Sequence, residues 1–271
     1  MYPILVSFGP IHLYSFGTLL ILGVLVSWLL ARYLIERNSL ALRNLTMAAV
    51  WGGVGGLVFA RAGFVIMHLD KFFHNWFSVL WIWNWFGEME IWAGILGVGA
   101  GMMVYWIKHN EPIFLWLDIM SLVIQPLVMA ISVGLSLSAV GLTAEALGRP
   151  TALPWGIVVD SVDLPFANVP VHPLLLYTGF TALLVFIGLL MLRNWGDKYV
   201  GRLFALMLLP YALLWVALYV VRWHVPDTVL GFDVFILNAI LYVAIAVACS
   251  GYIIRKRSLA QHRMARATID L

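Results

Sequence analysis

Seven apolar runs, near 12–32, 46–68, 91–107, 113–138, 173–192, 203–221 and 233–254, constrain this chain more than any other feature. A bilayer core of about 30 Å takes roughly 20 apolar residues as a helix. Each run is long enough to cross, some with help from flanking residues. Helix is the expected form, because backbone polar groups find no water in lipid. The short polar/apolar alternation of a membrane β-barrel is missing. The fold class expected is therefore all-α: one polytopic membrane domain over 1–271 with about seven transmembrane helices. Composition agrees, since only 11% of residues are charged and 63% are hydrophobic, against about 25% charged in a soluble domain.

Charge placement predicts the orientation. Arg32, Arg37, Arg43, Lys108, Arg193, Lys198, Arg202, Arg255, Lys256, Arg257, Arg263 and Arg266 all fall on one side if the runs alternate. That is twelve of the 16 basic residues. The other side receives Lys71, Arg149 and Arg222, and Arg61 falls within a span. The positive-inside rule then puts the N-terminus outside and the 255–271 basic tail in the cytoplasm. The first 17 residues lack the charged region of a cleavable signal peptide, so the chain is expected to keep its first helix.

Two connections on the outer side are longer than turns. The 69–90 segment carries Trp76, Trp81, Trp83 and Trp85, which suit the headgroup zone, and is expected to lie in the interface as a helix. The 139–172 segment is punctuated by Gly148, Pro150, Pro154, Pro165 and Pro170. It is expected to form a small head of turns and short strands. The GGVGG run at 52–56 reads as tight helix packing; it lacks the strand-to-helix context of a phosphate loop.

Ionisable groups within spans are functional candidates by default. Arg61, in GGLVFARAGFVIMH, needs a carboxylate, carbonyls, water or a phosphate; a ligand role and a structural ion pair weigh equally. Asp118, early in the fourth span, reads rather as structural, paired to a neighbouring helix or lying at the interface. A second group gathers at the outer surface: Glu145 and Arg149, His172 before Pro173, Tyr177 one turn on, and Arg222 closing the sixth span. Arginine binds phosphate esters in bidentate fashion and histidine moves protons near neutral pH. An anionic lipid headgroup suits such a group, though ordinary interfacial anchors would look similar.

Several other chemistries lack support. No HExxH and no close His pair occur, so no metal is expected. No GxSxG occurs. The single cysteine, Cys249, excludes an internal disulfide and reads as a small buried hydrophobe. Spans one, five and seven are almost wholly apolar, which argues against a transporter's aqueous path. Nothing points to nucleic acid.

The ordered motifs FGPIHLYSFG (8–17), ARAGF (60–64), LDIMSLVIQPLVM (117–129), EALGRPTALPWGI (145–157) and HPLLLY (172–177) resemble prolipoprotein diacylglyceryl transferases over nearly the whole chain. The resemblance implies a transfer of diacylglyceryl from phosphatidylglycerol to the lipobox cysteine thiol of a prolipoprotein. It would take place at the outer leaflet of a bacterial inner membrane, without a cofactor. It would give His172, Glu145 and Tyr177 catalytic roles, and Arg61, Arg222 and Arg149 lipid-binding roles. The chain also departs from that pattern. In the strongest family signature Leu137 stands at the arginine position, and Val140 and Thr143 at the two asparagines, with Glu145 kept. Trp92 replaces a histidine, Phe16 a tyrosine, and Trp215 and Tyr219 an arginine and a glutamate. A catalytically inactive homologue serving as a scaffold or subunit among other membrane proteins is the alternative expectation.

Overall fold

The computed structural model describes residues 4–8, 11–72, 90–138, 147–158, 168–196, 200–223, 228–229 and 232–269. Eight helices are found among them: α1 (Ser15–Arg37), α2 (Leu42–Met67), α3 (Leu69–Phe72), α4 (Ile91–Lys108), α5 (Ile113–Leu137), α6 (Leu174–Gly196), α7 (Arg202–Val221) and α8 (Val234–Ile269). Six of these are long and apolar enough to cross a membrane, and α4 contributes a shorter apolar helix over Ala93–Lys108. The protein is thus a polytopic, mostly helical membrane protein with seven apolar helices, as the runs predict. The chain divides into two compact units, one of Met1–Ala31 with Phe114–Leu271 and the other of Arg32–Ile113.

In the unit Arg32–Ile113, α2 packs along α4 with glycine on glycine. A Cβ on Gly55 would collide with the Gly97 carbonyl, and one on Gly101 with the Trp51 carbonyl, whereas Gly53 and Gly99 face open space. Close backbone approach is what small residues permit in a membrane, where apolar burial supplies no drive between helices. At the helix ends Asn44 hydrogen-bonds Glu111. Of the expected interfacial segment 69–90, α3 and Glu90 are described; residues 73–89 lie outside the described residues.

In the other unit α5 is the most buried span, with half of its apolar window covered, against 28% or less for the rest. Its covered face carries Asp118, Ser121, Gln125, Ser132 and Ser136, spaced three, four, seven and four residues apart, all buried. The hydroxyls of Ser121 and Ser136 donate to their own helix backbone at Asp118 and Ser132. Gln125, fully buried, donates to the Ser121 carbonyl and accepts from the Tyr211 hydroxyl of α7 at 2.6 Å.

Asp118 proves structural. Its Oδ2 accepts the Gly201 N–H at 2.6 Å and its Oδ1 the Phe204 N–H at 2.9 Å. These donors belong to the first turn of α7, which its own helix leaves unpaired. A carboxylate there also meets the positive end of the helix dipole. Gly201 has φ +94°, a left-handed conformation that favours glycine, and a Cβ there would crowd Phe114.

Seven short strands occur among the described residues. β1 (Ile4–Phe8) and β2 (Ile11–Tyr14) pair antiparallel ahead of α1. Within the described parts of 139–173, β3 (Leu147–Pro150), β4 (Ile157–Val158) and β5 (Pro170–Pro173) form a sheet of order β3-β5-β4. A hairpin of β6 (Thr228–Val229) and β7 (Phe232–Asp233) leads into α8. α8 runs on through the basic segment to Ile269, well beyond the predicted end of the last span. Leu, Ala, Gln, Met and Arg dominate that stretch, good helix formers with no Gly or Pro among them.

Candidate functional site

The three-stranded sheet sits where α6 and α8 begin and α7 ends, and it draws together most of the residues singled out by sequence. β5 carries Val171 and His172 into the first turn of α6. β3 pairs with it, Leu147 opposite Pro173 and Pro150 opposite Val171. Gly148 makes a further antiparallel bridge to Arg222 at the end of α7. Only a glycine fits at 148, because a Cβ would collide with that of His172. That close approach brings His172, Arg149 and Arg222 to one end of the helices.

His172 and Tyr177 form a hydrogen-bonded set with Trp155. The Trp155 indole N–H donates to the Tyr177 hydroxyl oxygen at 3.0 Å. His172 Nδ1 lies 2.8 Å from the same hydroxyl. Trp155 can only donate, so it occupies one lone pair of that oxygen and leaves the rest of the hydroxyl to the imidazole. Trp155 comes from the turn between β3 and β4 and is 55% exposed, while His172 and Tyr177 are half-buried. Tyr177 also packs on a small core of Leu174, Leu214 and Leu218, together with Tyr211, Trp215 and Phe235.

The two arginines of this end differ. Arg222 is 7% exposed and ion-paired to Asp233. Its guanidinium lies over the Phe235 ring at 4.3 Å and the Tyr219 ring at 5.3 Å. Asp233 accepts the Phe235 N–H at 2.8 Å with its other oxygen, capping α8. Arg149 is exposed, and its Nε donates to the Arg222 carbonyl at 3.1 Å. The backbone thus anchors Arg149 by one nitrogen, leaving its two terminal nitrogens as the group's solvent-side donors.

Arg61 belongs to the unit Arg32–Ile113. It is 3% exposed, with its guanidinium 5.4 Å from the Phe72 ring centre and 5.9 Å from that of Phe64. Cation–π contacts of this kind offset part of the cost of burying a charge. Glu145 lies outside the described residues, as do Val140 and Thr143. Among the described residues no three His, Cys, Asp or Glu side chains converge to hold a metal.

Sequence reasoning overlooked Asp233 and gave Trp155 no role. A lone acid just before an apolar run is a recognisable helix-start signal. Its pairing with Arg222 across a hairpin has no sequence-local signature. Trp155 lay within the quoted EALGRPTALPWGI motif, but its bond to Tyr177 spans 22 positions.

Comparison with known proteins gives a consistent picture. The sequence model of the family described as prolipoprotein diacylglyceryl transferase matches residues 3–255. A phosphatidylglycerol–prolipoprotein diacylglyceryl transferase of Legionella pneumophila (strain Corby) is 29% identical over 239 residues, covering 86% of this chain and 87% of its own. One of Methylococcus capsulatus (strain Bath) is 29% identical over 244 residues, 86% of each chain. One of Nitrosospira multiformis is 29% identical over 217 residues, 78% of this chain and 71% of its own.

Proposed function

Given that the chain belongs to the prolipoprotein diacylglyceryl transferase family, we propose that it moves the diacylglyceryl group of phosphatidylglycerol to the lipobox cysteine thiol of a prolipoprotein. The carbon–oxygen bond between the diacylglyceryl carbon and the phosphate breaks, and a carbon–sulfur bond forms at that carbon. Glycerol 1-phosphate leaves with the electron pair. The thiol proton passes to a base on the enzyme. The observation that carries this reading is the sheet that sets the hydrogen-bonded His172–Tyr177–Trp155 group beside Arg149 and Arg222.

Each residue then has a task that its surroundings suit. Arg149, exposed and anchored through Nε, binds the lipid phosphate and stabilises the charge that grows on the leaving group. Arg222, its charge balanced by Asp233, shapes the edge on which Arg149 rests. His172 takes the thiol proton. With Nδ1–H donating to Tyr177, Nε2 carries the free lone pair, and the thiolate is the nucleophile. Tyr177 and Trp155 fix the plane of the imidazole. Glu145 is assigned to the lip of the same site. Arg61, in the unit Arg32–Ile113, is assigned to lipid phosphate on its own account, and Arg61→Ala is expected to abolish phosphatidylglycerol binding; unchanged affinity would overturn that assignment.

The family supports a placement in the bacterial inner membrane, and the charge bias supports an N-terminus outside and a tail in the cytoplasm. The site would then open to the outer leaflet.

A transfer assay tests the activity. The purified protein is mixed with phosphatidylglycerol and a lipobox peptide, and the peptide mass is followed. A diacylglyceryl gain that is lost in His172→Ala is the expected result. No gain, beside an active family member as control, favours the second reading, an inactive homologue acting as a scaffold or subunit. One observation speaks for that alternative: Arg222 is engaged by Asp233, and Trp215 packs edge-on against Phe235 at 5.0 Å where the family has an arginine.

A further inference from the structure

We propose that Asn238 is the hydrogen-bond donor for an acyl-ester carbonyl of the bound glycerophospholipid, a subsite about one helical turn along α8 from the arginine cluster. Asn238 Nδ2 is buried and has no hydrogen-bond partner among the described residues. One neighbour on its helix face shows where that face points: Phe235, three residues earlier, meets the Trp215 ring of α7 edge-on at 5.0 Å. Positions three and four apart share a helix face, so Asn238 lies on the side of α8 that meets α7. An amide donor left unpaired in that setting is unfavourable, and more so in lipid than near water. Native structures retain such groups where they meet a ligand or water.

The chemistry of the group selects its ligand. An amide is neutral and does not balance a phosphate, but it pairs well with a neutral carbonyl oxygen. Its position selects the part of the lipid. Asn238 is four residues beyond Val234, a rise of about 6 Å along α8, whereas Asp233 and Arg222 stand at the helix start. In a glycerophospholipid the acyl esters lie a few bonds from the phosphate, toward the hydrocarbon. The order along α8, cationic edge first and amide second, matches the order phosphate then ester along the lipid. A half turn of the amide about its Cβ–Cγ bond exchanges donor and acceptor with almost no change of shape, so the donor can meet a carbonyl on either side. This subsite rests on the reading of Arg149 as the phosphate ligand.

The test uses the full-length protein in detergent micelles and native mass spectrometry. Two lipids with the same phosphatidylglycerol headgroup are compared, one with two acyl esters and one with two alkyl ethers, which lack the carbonyl. The wild type is expected to hold the ester lipid about fivefold more tightly, the worth of one hydrogen bond. Asn238→Leu is expected to hold both at the ether level, and Asn238→Thr, which keeps a donor, to retain part of the preference. Equal retention of the two lipids by the wild type overturns the subsite without recourse to any variant. An undiminished preference in Asn238→Leu overturns it too. An ester preference that depends on Asn238, with no mass gain on a lipobox peptide, leaves the subsite standing and removes the transferase reading. A mass gain without ester preference does the reverse.

Discussion

Arg149 is exposed and Arg222 buried, although one hydrogen bond joins them. Their substitutions should therefore fail in different ways. Arg149→Ala should lower phosphatidylglycerol affinity about tenfold or more, the worth of a charge-assisted contact, while leaving the melting temperature nearly unchanged. Asp233→Ala should destabilise the fold by about 3–5 kcal/mol, because it strands a buried guanidinium and uncaps α8. Thermal unfolding in detergent alongside a lipid-binding titration separates the two, and a Tm loss in Arg149→Ala equal to that of Asp233→Ala would contradict the division. Tyr177→Phe removes the shared acceptor of Trp155 and His172. Its transfer rate is expected to fall about tenfold with little change in Tm, and an unchanged rate would deny the hydroxyl any role. That His172, Tyr177, Arg149 and Arg222 gather at one end of the helices was legible in the sequence, because polar residues stand out beside apolar spans. Asp233 and Asn238 were not: one looks like a routine helix start, the other like a tolerated amide in an apolar run.

Two helix pairs owe their placement to features of opposite kinds. α2 and α4 meet through absent side chains, α5 and α7 through polar ones, the Asp118 carboxylate and the Gln125 amide. Gly55→Val should force α2 from α4, since its Cβ meets the Gly97 carbonyl, whereas Gly53→Val faces open space and should be tolerated. Overpacking of this kind costs about 1–3 kcal/mol or more, and equal melting temperatures for the two variants would refute the packing. Asp118→Ala should cost about 3 kcal/mol through the loss of two charge-assisted bonds to the first turn of α7. Asp118→Asn should lose less, because it keeps one acceptor oxygen. The glycine packing was readable from GGVGG alone, for small residues have few other uses at that spacing. The Asp118 cap was half readable: burial in a span signals a partner, but a partner that is backbone leaves no trace in side-chain identity.

At the level of the whole molecule, hydropathy alone located all seven apolar helices, because the bilayer fixes their length. The strands were less visible. β4, β6 and β7 have two residues each, too short for periodicity to register, and β5 ends in a Pro that reads as a breaker. The extension of α8 has no hydropathy signature, because its residues beyond 254 are mostly polar helix formers. The orientation is tested by placing a cysteine at position 270 in a Cys249→Ser background. A membrane-impermeant maleimide should label it in inverted vesicles and not in intact cells; the opposite pattern would reverse the assignment of the sheet to the outer leaflet.

The bond from Asp118 to Gly201 spans 83 positions. At a synthesis rate of about 5–20 residues per second, roughly 4–17 seconds separate the emergence of the two ends. Throughout that interval α5 carries a carboxylate whose helix terminus has not yet been made. Burying that carboxylate unpaired in lipid is costly, so α5 is expected to seat fully only once the first turn of α7 is available to it.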